Sequence, residues 1–187
     1  MCRRTHDVES SEAIARLATS KRILVLGSSG SGKSSLTRQL CQVLDIEPIH
    51  LDAHFWKPGW VSTPQPEWRQ TVASLISRDS WIMDGTYEST LDLRIPAADT
   101  LIVLERSRLL CLWRCVKRKA TIGDRQRPDA PPGQKLDLAF LRYIWHYPEV
   151  TRPFLYECIR QHGENKLLIV LRGQKEVARL LQQVEKR

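Results

Sequence analysis

The chain has 187 residues, of which 42% are hydrophobic and 27% charged, with a formal net charge of +8 at pH 7; this suits one globular core and excludes both a disordered chain and an integral membrane protein. No apolar run reaches the roughly 18 to 20 residues of a spanning helix, and the opening MCRRTHDVES has no apolar stretch behind its charges, which predicts no secretory signal and a cytoplasmic location. The positive excess predicts affinity for anions, whether phosphorylated small molecules, an acidic surface or nucleic acid.

Residues 8–19 predict a short helix, with Ile14, Leu17 and Ala18 apolar among charges. KRILVL, 21–26, is a continuous apolar run ending at Gly27, the pattern of a buried parallel strand. A helix follows over 33–44, and 48–51 forms a second strand that ends at Asp52. The Trp- and Pro-rich HFWKPGWVSTPQPEW predicts irregular chain leading into a helix over 67–77. Residues 81–83 form a third strand with Asp84 and Gly85 at its carboxyl end, and TLIVL, 100–104, a fourth. A basic amphipathic helix spans 108–119, and TIGDRQRPDAPPGQK beyond it has the polar, Gly- and Pro-rich make-up of a flap. The helical stretch 136–162 is predicted to kink or break near Pro148 and Pro153. KLLIVL, 166–171, is the fifth strand, and 176–184 the closing helix.

Strands alternating with helices specify an α/β fold around a five-stranded parallel sheet, and with no repeat or linker dividing the chain, 1–187 is expected to form a single domain. Ligands of such sheets bind at the carboxyl ends of the strands. That rule puts Gly27, Asp52, Asp84, Glu105 and Arg172 around one crevice.

Residues 27–34 carry the strongest motif in the chain: Gly27, Ser28, Ser29, Gly30, Ser31, Gly32, Lys33 and Ser34, a complete GxxxxGKS phosphate-binding loop. Its glycines let successive backbone N–H groups turn inward, and the helix behind adds its positive end. With Ser35 next in the chain, these residues are the expected nucleotide cradle. Lys33 reaches the outer phosphates, and the Ser34 hydroxyl is placed for Mg2+. Asp84 is either the second Mg2+ group or a cap at a strand end. Asp52 either deprotonates an acceptor hydroxyl or only orients substrate or metal.

Phosphoryl transfer calls for arginines that close over the moving group. Six basic residues crowd between Arg114 and Arg127, and Arg118, Arg125, Arg127 and, on the next helix, Arg142 are the catalytic candidates; the alternative for each is a solvated basic face. Trp56, Trp60 and Trp68 either stack on a ring of the acceptor or build a small core under a lobe. The five cysteines, Cys2, Cys41, Cys111, Cys115 and Cys158, lack close CxxC pairing and are expected to be reduced packing residues.

The pattern resembles the nucleoside monophosphate kinase group of P-loop proteins, and more closely the small adenylate-kinase-related proteins known as DNA topology modulation proteins. The resemblance runs over 21–184 and rests on IHLDAHFWKPGW, WIMDGTY, TLDLRIPAADTLIVLE and LRYIWHYPEVTRP besides the phosphate loop. It implies a three-layer P-loop fold with a small lid at 119–137 and an acceptor lobe at 52–80. It further implies a Mg2+-shell role for Asp84, an adenine-side Arg114 with Arg118 at the phosphates, a base-side loop at Gly173, and an acceptor-phosphate role for Arg94. The Phe-Pro-Arg that follows Asp-Gly in adenylate kinase is Thr86, Tyr87 and Glu88 in this chain.

The expected function is a kinase that transfers the γ-phosphoryl group of MgATP to a nucleotide or other small acceptor held by Asp52, Trp56 and Arg94, acting as monomer or homodimer. The alternative is a nucleotide-dependent DNA-binding or DNA-topology-modulating protein, which the charge permits but no helix-turn-helix, zinc finger or arginine-rich tail supports.

Overall fold

Five apolar segments pair in parallel to form one sheet: β1 (Arg22–Gly27), β2 (Pro48–His50), β5 (Trp81–Asp84), β6 (Thr100–Leu104) and β7 (Leu167–Leu171), in the order β2-β5-β1-β6-β7. The computed structural model describes residues 10–123, 129–133 and 136–186. A separate two-stranded antiparallel hairpin joins β3 (Trp56–Lys57) to β4 (Val61–Ser62). Because side chains alternate along a strand, both faces of the sheet must be covered when both are apolar. Leu24 and Leu26 of β1 accordingly enter one core, and Ile23 and Val25 the other.

Helices fill those two outer layers. On the first face lie α4 (Gln65–Ile76), α5 (Leu91–Ala97) and α8 (Thr151–His162), supplying Trp68, Val72, Leu91, Ile95 and Leu155. On the second lie α1 (Ser11–Ala18), α2 (Lys33–Leu44) and α9 (Gln174–Glu185), supplying Ile14, Leu17, Leu36, Leu40, Val177 and Leu180. Each such Leu, Ile or Val side chain, fully buried, contributes about 1.5–3 kcal/mol relative to exposure. The result is a three-layer α/β sandwich with the carboxyl ends of all five strands at one edge.

Two further helices stand over that edge. The first, α6 (Arg108–Ile122), starts where Ser107 accepts from the Leu110 amide, and α7 (Leu138–His146) starts where Asp137 accepts from the Phe140 amide. They pack through Cys111, Cys115 and Ile144. Both thiols are buried, none of the described cysteines forms a disulfide, and among the described residues no group of three or more His, Cys, Asp or Glu could hold a metal. Cys111 and Cys115 are therefore packing residues; Cys2 lies outside the described residues.

Several elements differ from expectation. Leu51 leaves the second strand to begin α3 (Leu51–Phe55), so Asp52 sits on the first turn of a short helix rather than at a strand end. The Trp-rich stretch contains the hairpin, closed by the Thr63 hydroxyl and amide both donating to the Phe55 carbonyl at 2.6 and 3.0 Å. Helix α5 forms in spite of Pro96, which falls in its last turn. The break in the long helical stretch comes at Tyr147–Val150, while Pro153 sits in the first turn of α8, where its missing N–H is tolerated. No helix among the described residues is long and apolar enough to cross a membrane.

Candidate functional site

The turn between β1 and α2 gathers the motif at the centre of the sheet edge. Gly30 has φ +79°, and a Cβ there would lie 2.4 Å from the carbonyl oxygen of Cys111 on α6. Gly27, with φ +141°, would put a Cβ 2.6 Å from the Leu104 carbonyl oxygen at the end of β6. Bare backbone is thus required at both positions, which lets the loop curl tightly between β6 and α6. Helix α2 opens at Gly32 without a side-chain cap, so its first amides and positive end stay available to an anion.

Lys33 folds back so that its ammonium donates to the Ser28 carbonyl at 2.9 Å. Burial lowers its pKa, opposed by the negative charges of Asp52 and Asp84. A polyphosphate entering the loop would add negative charge beside this half-buried ammonium and favour its charged form. Arg114 of α6 donates to the carbonyls of Gly30 and Ser31 at 3.4 and 3.2 Å, bracing the loop from above.

In front of the loop opens a cavity of about 1020 Å³, at the top of the range, roughly 300 to 1,000 Å³, typical of small-ligand sites. Its walls hold Gly27, Ser29, Gly30, Gly32, Lys33, Ser34 and Ser35 of the loop and the start of α2, Asp52 of α3, Trp56 of β3, Asp84, and Arg114 and Arg118 of α6. Ser28 and Ser31 are buried within the loop and contribute the carbonyls to which Lys33 and Arg114 donate.

Asp84, at the end of β5, is buried, and its Oδ1 is bonded to Nδ1 of His50 at 3.0 Å. Burial alone would lower the His50 pKa, but the hydrogen bond and charge of Asp84 raise it, favouring the imidazolium. The second oxygen, Oδ2, is buried and has no hydrogen-bond partner among the described residues. A hard cation would satisfy it, and Mg2+ in phosphate sites takes only one or two protein oxygens beside the phosphates and water. Asp84 and the Ser34 hydroxyl on the facing helix turn fit that donor set.

Across the cavity, Asp52 Oδ1 accepts from the Tyr87 hydroxyl at 2.5 Å. Burial raises the Asp52 pKa, while the Tyr87 bond and the Lys33 charge lower it. Tyr87 lies at φ 34° and rests on Phe55 and Trp68, with ring centroids 4.8 and 5.2 Å away. The three tryptophans therefore divide: Trp68 is fully buried in the core, whereas Trp56 and Trp60 pair at 5.2 Å and line the cavity. The indole of Trp60 donates to the Pro132 carbonyl at 2.7 Å, joining the hairpin to the segment above it.

Four expectations are corrected. Arg94 does not reach the cavity: it is 0% exposed, and its guanidinium donates to Thr90 Oγ1 and to the carbonyls of Gly85, Thr86 and Tyr87. Gly173 does not line the cavity; it precedes α9, and its carbonyl accepts from Arg106 at 3.1 Å. Arg142 is exposed on α7, outside the lining. Glu105 and Arg172 do end their strands, but they pair with each other at 3.1 Å, and Glu105 also accepts from Tyr156 at 2.9 Å. Arg125 and Arg127 lie outside the described residues.

The structure also adds residues. Thr86 donates to the Gly27 carbonyl at 2.9 Å and accepts from its amide at 3.3 Å, locking the phosphate loop to the chain after β5. Glu88, Arg38, Asp129, Asp137, Phe140 and Tyr143 also line the cavity. The sequence showed Thr86, Tyr87 and Glu88 only as a departure from adenylate kinase, and nothing local in it marked Arg38 or Tyr143.

No protein-family model matches the chain, and no curated protein matches it by sequence. Solved structures do match in fold. A shikimate kinase from Acinetobacter baumannii in complex with shikimate is 17% identical, with 91% of this chain and 94% of that chain covered and a TM-score of 0.54. A shikimate kinase from Bacteroides thetaiotaomicron is 12% identical over 90% of this chain and 98% of that chain, with a TM-score of 0.55. A gluconokinase from Sinorhizobium meliloti 1021 is 18% identical over 89% and 90%, with a TM-score of 0.55. The fold is that of P-loop proteins of the nucleoside monophosphate kinase-like type.

Proposed function

We propose that the protein is a small-molecule kinase that transfers the γ-phosphoryl group of MgATP to an acceptor hydroxyl. One observation carries this: Lys33 and Ser34 of a complete phosphate loop and Asp52 of the opposite wall face the same cavity. The fold shared with shikimate kinases and a gluconokinase supports it. The WKPGW and DGTY elements support placing the chain among the adenylate-kinase-related DNA topology modulation proteins, with 52–80 as acceptor lobe and 119–137 as lid.

Each residue has its own part in the transfer. The loop amides and the end of α2 hold the phosphates of ATP, and Lys33 leaves the Ser28 carbonyl to neutralise the transferring group. Mg2+, held by Ser34 and Asp84, would supply charge neutralisation between the outer phosphates. Arg114 fixes the loop against α6, and Arg118, one turn on and also in the cavity wall, stabilises negative charge as transfer proceeds. Asp52 orients the acceptor hydroxyl and takes its proton, with Tyr87 fixing the carboxylate.

Two measurements on purified protein test this: calorimetric titration with ATP in the presence of magnesium, and a screen for acceptor-dependent ADP production. Binding of ATP together with ADP release that rises only with an acceptor is the expected outcome. No ATP binding at millimolar concentration would remove the proposal.

A further inference from the structure

The side of the cavity formed by α3, the hairpin and the chain after β5 is lined by carboxylates and rings. In a kinase whose acceptor is a phosphomonoester or carboxylate, a cation must face the acceptor's charge, because an anion desolvated without a partner is expensive. Three cations of the acceptor lobe and of α5, Lys57, Arg69 and Arg94, are turned elsewhere, and Arg78 is not part of the lining either. Arg94 is wholly internal, bonded to the carbonyls of residues 85–87. Arg69 forms a two-pronged pair with Asp92 at 3.1 and 2.7 Å and also donates to the Ser89 carbonyl at 2.5 Å. Lys57 pairs with Glu67 at 3.0 Å. None of these three lines the cavity.

The groups the lobe and the chain after β5 do present are carboxylates and rings. Asp52 and Glu88 face the cavity, and Trp56, Trp60 and Tyr87 supply its flat apolar walls. Glu88 is held in place by the Thr151 hydroxyl of α8, which donates to it at 2.7 Å. The same internal Arg94 also holds the segment that carries these groups: it binds the carbonyls of 85–87, from which Tyr87 reaches Asp52, and Glu88, the next residue, lines the cavity. Among the described cationic residues in the wall, Lys33, Arg114 and Arg118 belong to the phosphate loop and α6, and Arg38 is an exposed residue of α2.

From this juxtaposition we infer that the acceptor is an uncharged or cationic alcohol bearing a ring, of the nucleoside or hydroxymethyl-heterocycle kind, and that phosphomonoesters and carboxylates are rejected. The inference rests on the kinase proposal above. In the step it describes, the acceptor oxygen attacks the γ-phosphorus of ATP, the new O–P bond forms as the bond from that phosphorus to the β,γ-bridging oxygen breaks, ADP departs, and the hydroxyl proton passes to the Asp52 carboxylate. The ring lies against Trp56 and Trp60, where aromatic stacking is strong and tolerant of substituents. An anionic substituent would meet Glu88 and Asp52 at close range, and like charges in a confined site discriminate strongly.

The test compares matched pairs on the wild-type protein with MgATP: each nucleoside against its 3′-monophosphate, which keeps the 5′-hydroxyl, and against its 5′-monophosphate, and pyridoxine against 4-pyridoxic acid, read as acceptor-dependent ADP release, with calorimetric ATP binding measured alongside. The expected result is turnover with at least one uncharged member and a kcat/KM about tenfold or more above that of its anionic partner. Glu88→Gln should narrow that ratio, since only the charge is removed. Preference for the anionic partner, or no turnover with any uncharged member while ATP still binds, overturns the acceptor class. A ratio unchanged in Glu88→Gln overturns the electrostatic basis of the discrimination. Absence of ATP binding instead removes the kinase proposal itself, so the two failures are distinct.

Discussion

The Tyr87 hydroxyl donates to Asp52 Oδ1 at 2.5 Å, tying the chain after β5 to the first turn of α3 across the mouth of the cavity. This bond favours the ionised carboxylate, whereas burial, the larger effect, raises the Asp52 pKa. As a proton acceptor Asp52 must be ionised, so activity falls as pH drops through its pKa. Tyr87→Phe keeps the ring on Phe55 and Trp68 but removes the donor, so the Asp52 pKa rises further. The acidic limb of the pH profile of acceptor-dependent kcat/KM is expected to move to higher pH while the melting temperature changes little. A limb that stays in place would show that Asp52 is not the titrating base.

Lys33 offers the cleanest separation of chemistry from stability. Burial lowers its pKa against the charges of Asp52 and Asp84, and among the described residues its hydrogen bond is to the Ser28 carbonyl, so the fold gains little from its charge. Lys33→Met is expected to lower kcat by about 100- to 1,000-fold, the usual scale for losing one preorganised charge at a transferring group, with a melting temperature unchanged or higher. Coupled ADP release and thermal melts check both halves. Turnover within a few-fold of wild type would exclude Lys33 from the transfer.

Gly30 probes the packing of loop against α6. Alanine there has to hold φ +79° and clear the Cys111 carbonyl oxygen, which an ideal Cβ would approach to 2.4 Å. That oxygen belongs to a helix backbone and moves only if α6 moves. Gly30→Ala is expected to weaken ATP binding at least tenfold and to destabilise the fold by about 1–3 kcal/mol through combined strain and overpacking. Calorimetry and denaturant melts measure the two effects, and wild-type affinity would mean the loop does not need its close seat under α6.

How far the sequence reveals all this depends on whether the decisive interaction is local. The strand runs KRILVL, TLIVL and KLLIVL are legible because burial on both faces demands continuous apolar side chains, and the phosphate loop because its glycines, lysine and hydroxyl act within one turn. Helix α5 is not legible because Pro96 reads locally as a breaker, although at the last turn of a short helix it costs little. The destination of Arg94 is illegible for a different reason. The resemblance implies an acceptor-phosphate arginine there, and the path of residues 85–87 turns its guanidinium inward. The His50 partner of Asp84 likewise depends on β2 lying beside β5, a pairing set by topology.

Arg94 should be indispensable to the fold as well as to the site. Its guanidinium satisfies three carbonyls and a hydroxyl in a place closed to solvent, and it holds Tyr87 in a left-handed backbone conformation. Arg94→Met fills much of the same space but leaves those carbonyls without donors, each unsatisfied group costing about 1–3 kcal/mol. A loss of about 3 kcal/mol or more in denaturant melts is expected, with acceptor KM rising more than ATP KM. Arg94→Met with wild-type stability would mean the carbonyls find other donors.

His50 bears on the metal rather than on the phosphates directly. It lies behind Asp84, bonded to Oδ1 at 3.0 Å, which leaves Oδ2 as the oxygen for a cation. A partner behind a metal-binding carboxylate fixes its orientation, and removing such partners commonly weakens metal binding by about 10- to 100-fold. His50→Leu removes the donor that fixes Oδ1, so the magnesium concentration for half-maximal ADP release should rise about tenfold or more. Saturating magnesium should restore most of the rate, and His50→Gln, which retains a donor, should lie between the two. Chelation of magnesium should stop turnover in all three proteins. An unchanged magnesium requirement in His50→Leu would show that Asp84 is oriented without His50, or that it does not take the cation at all.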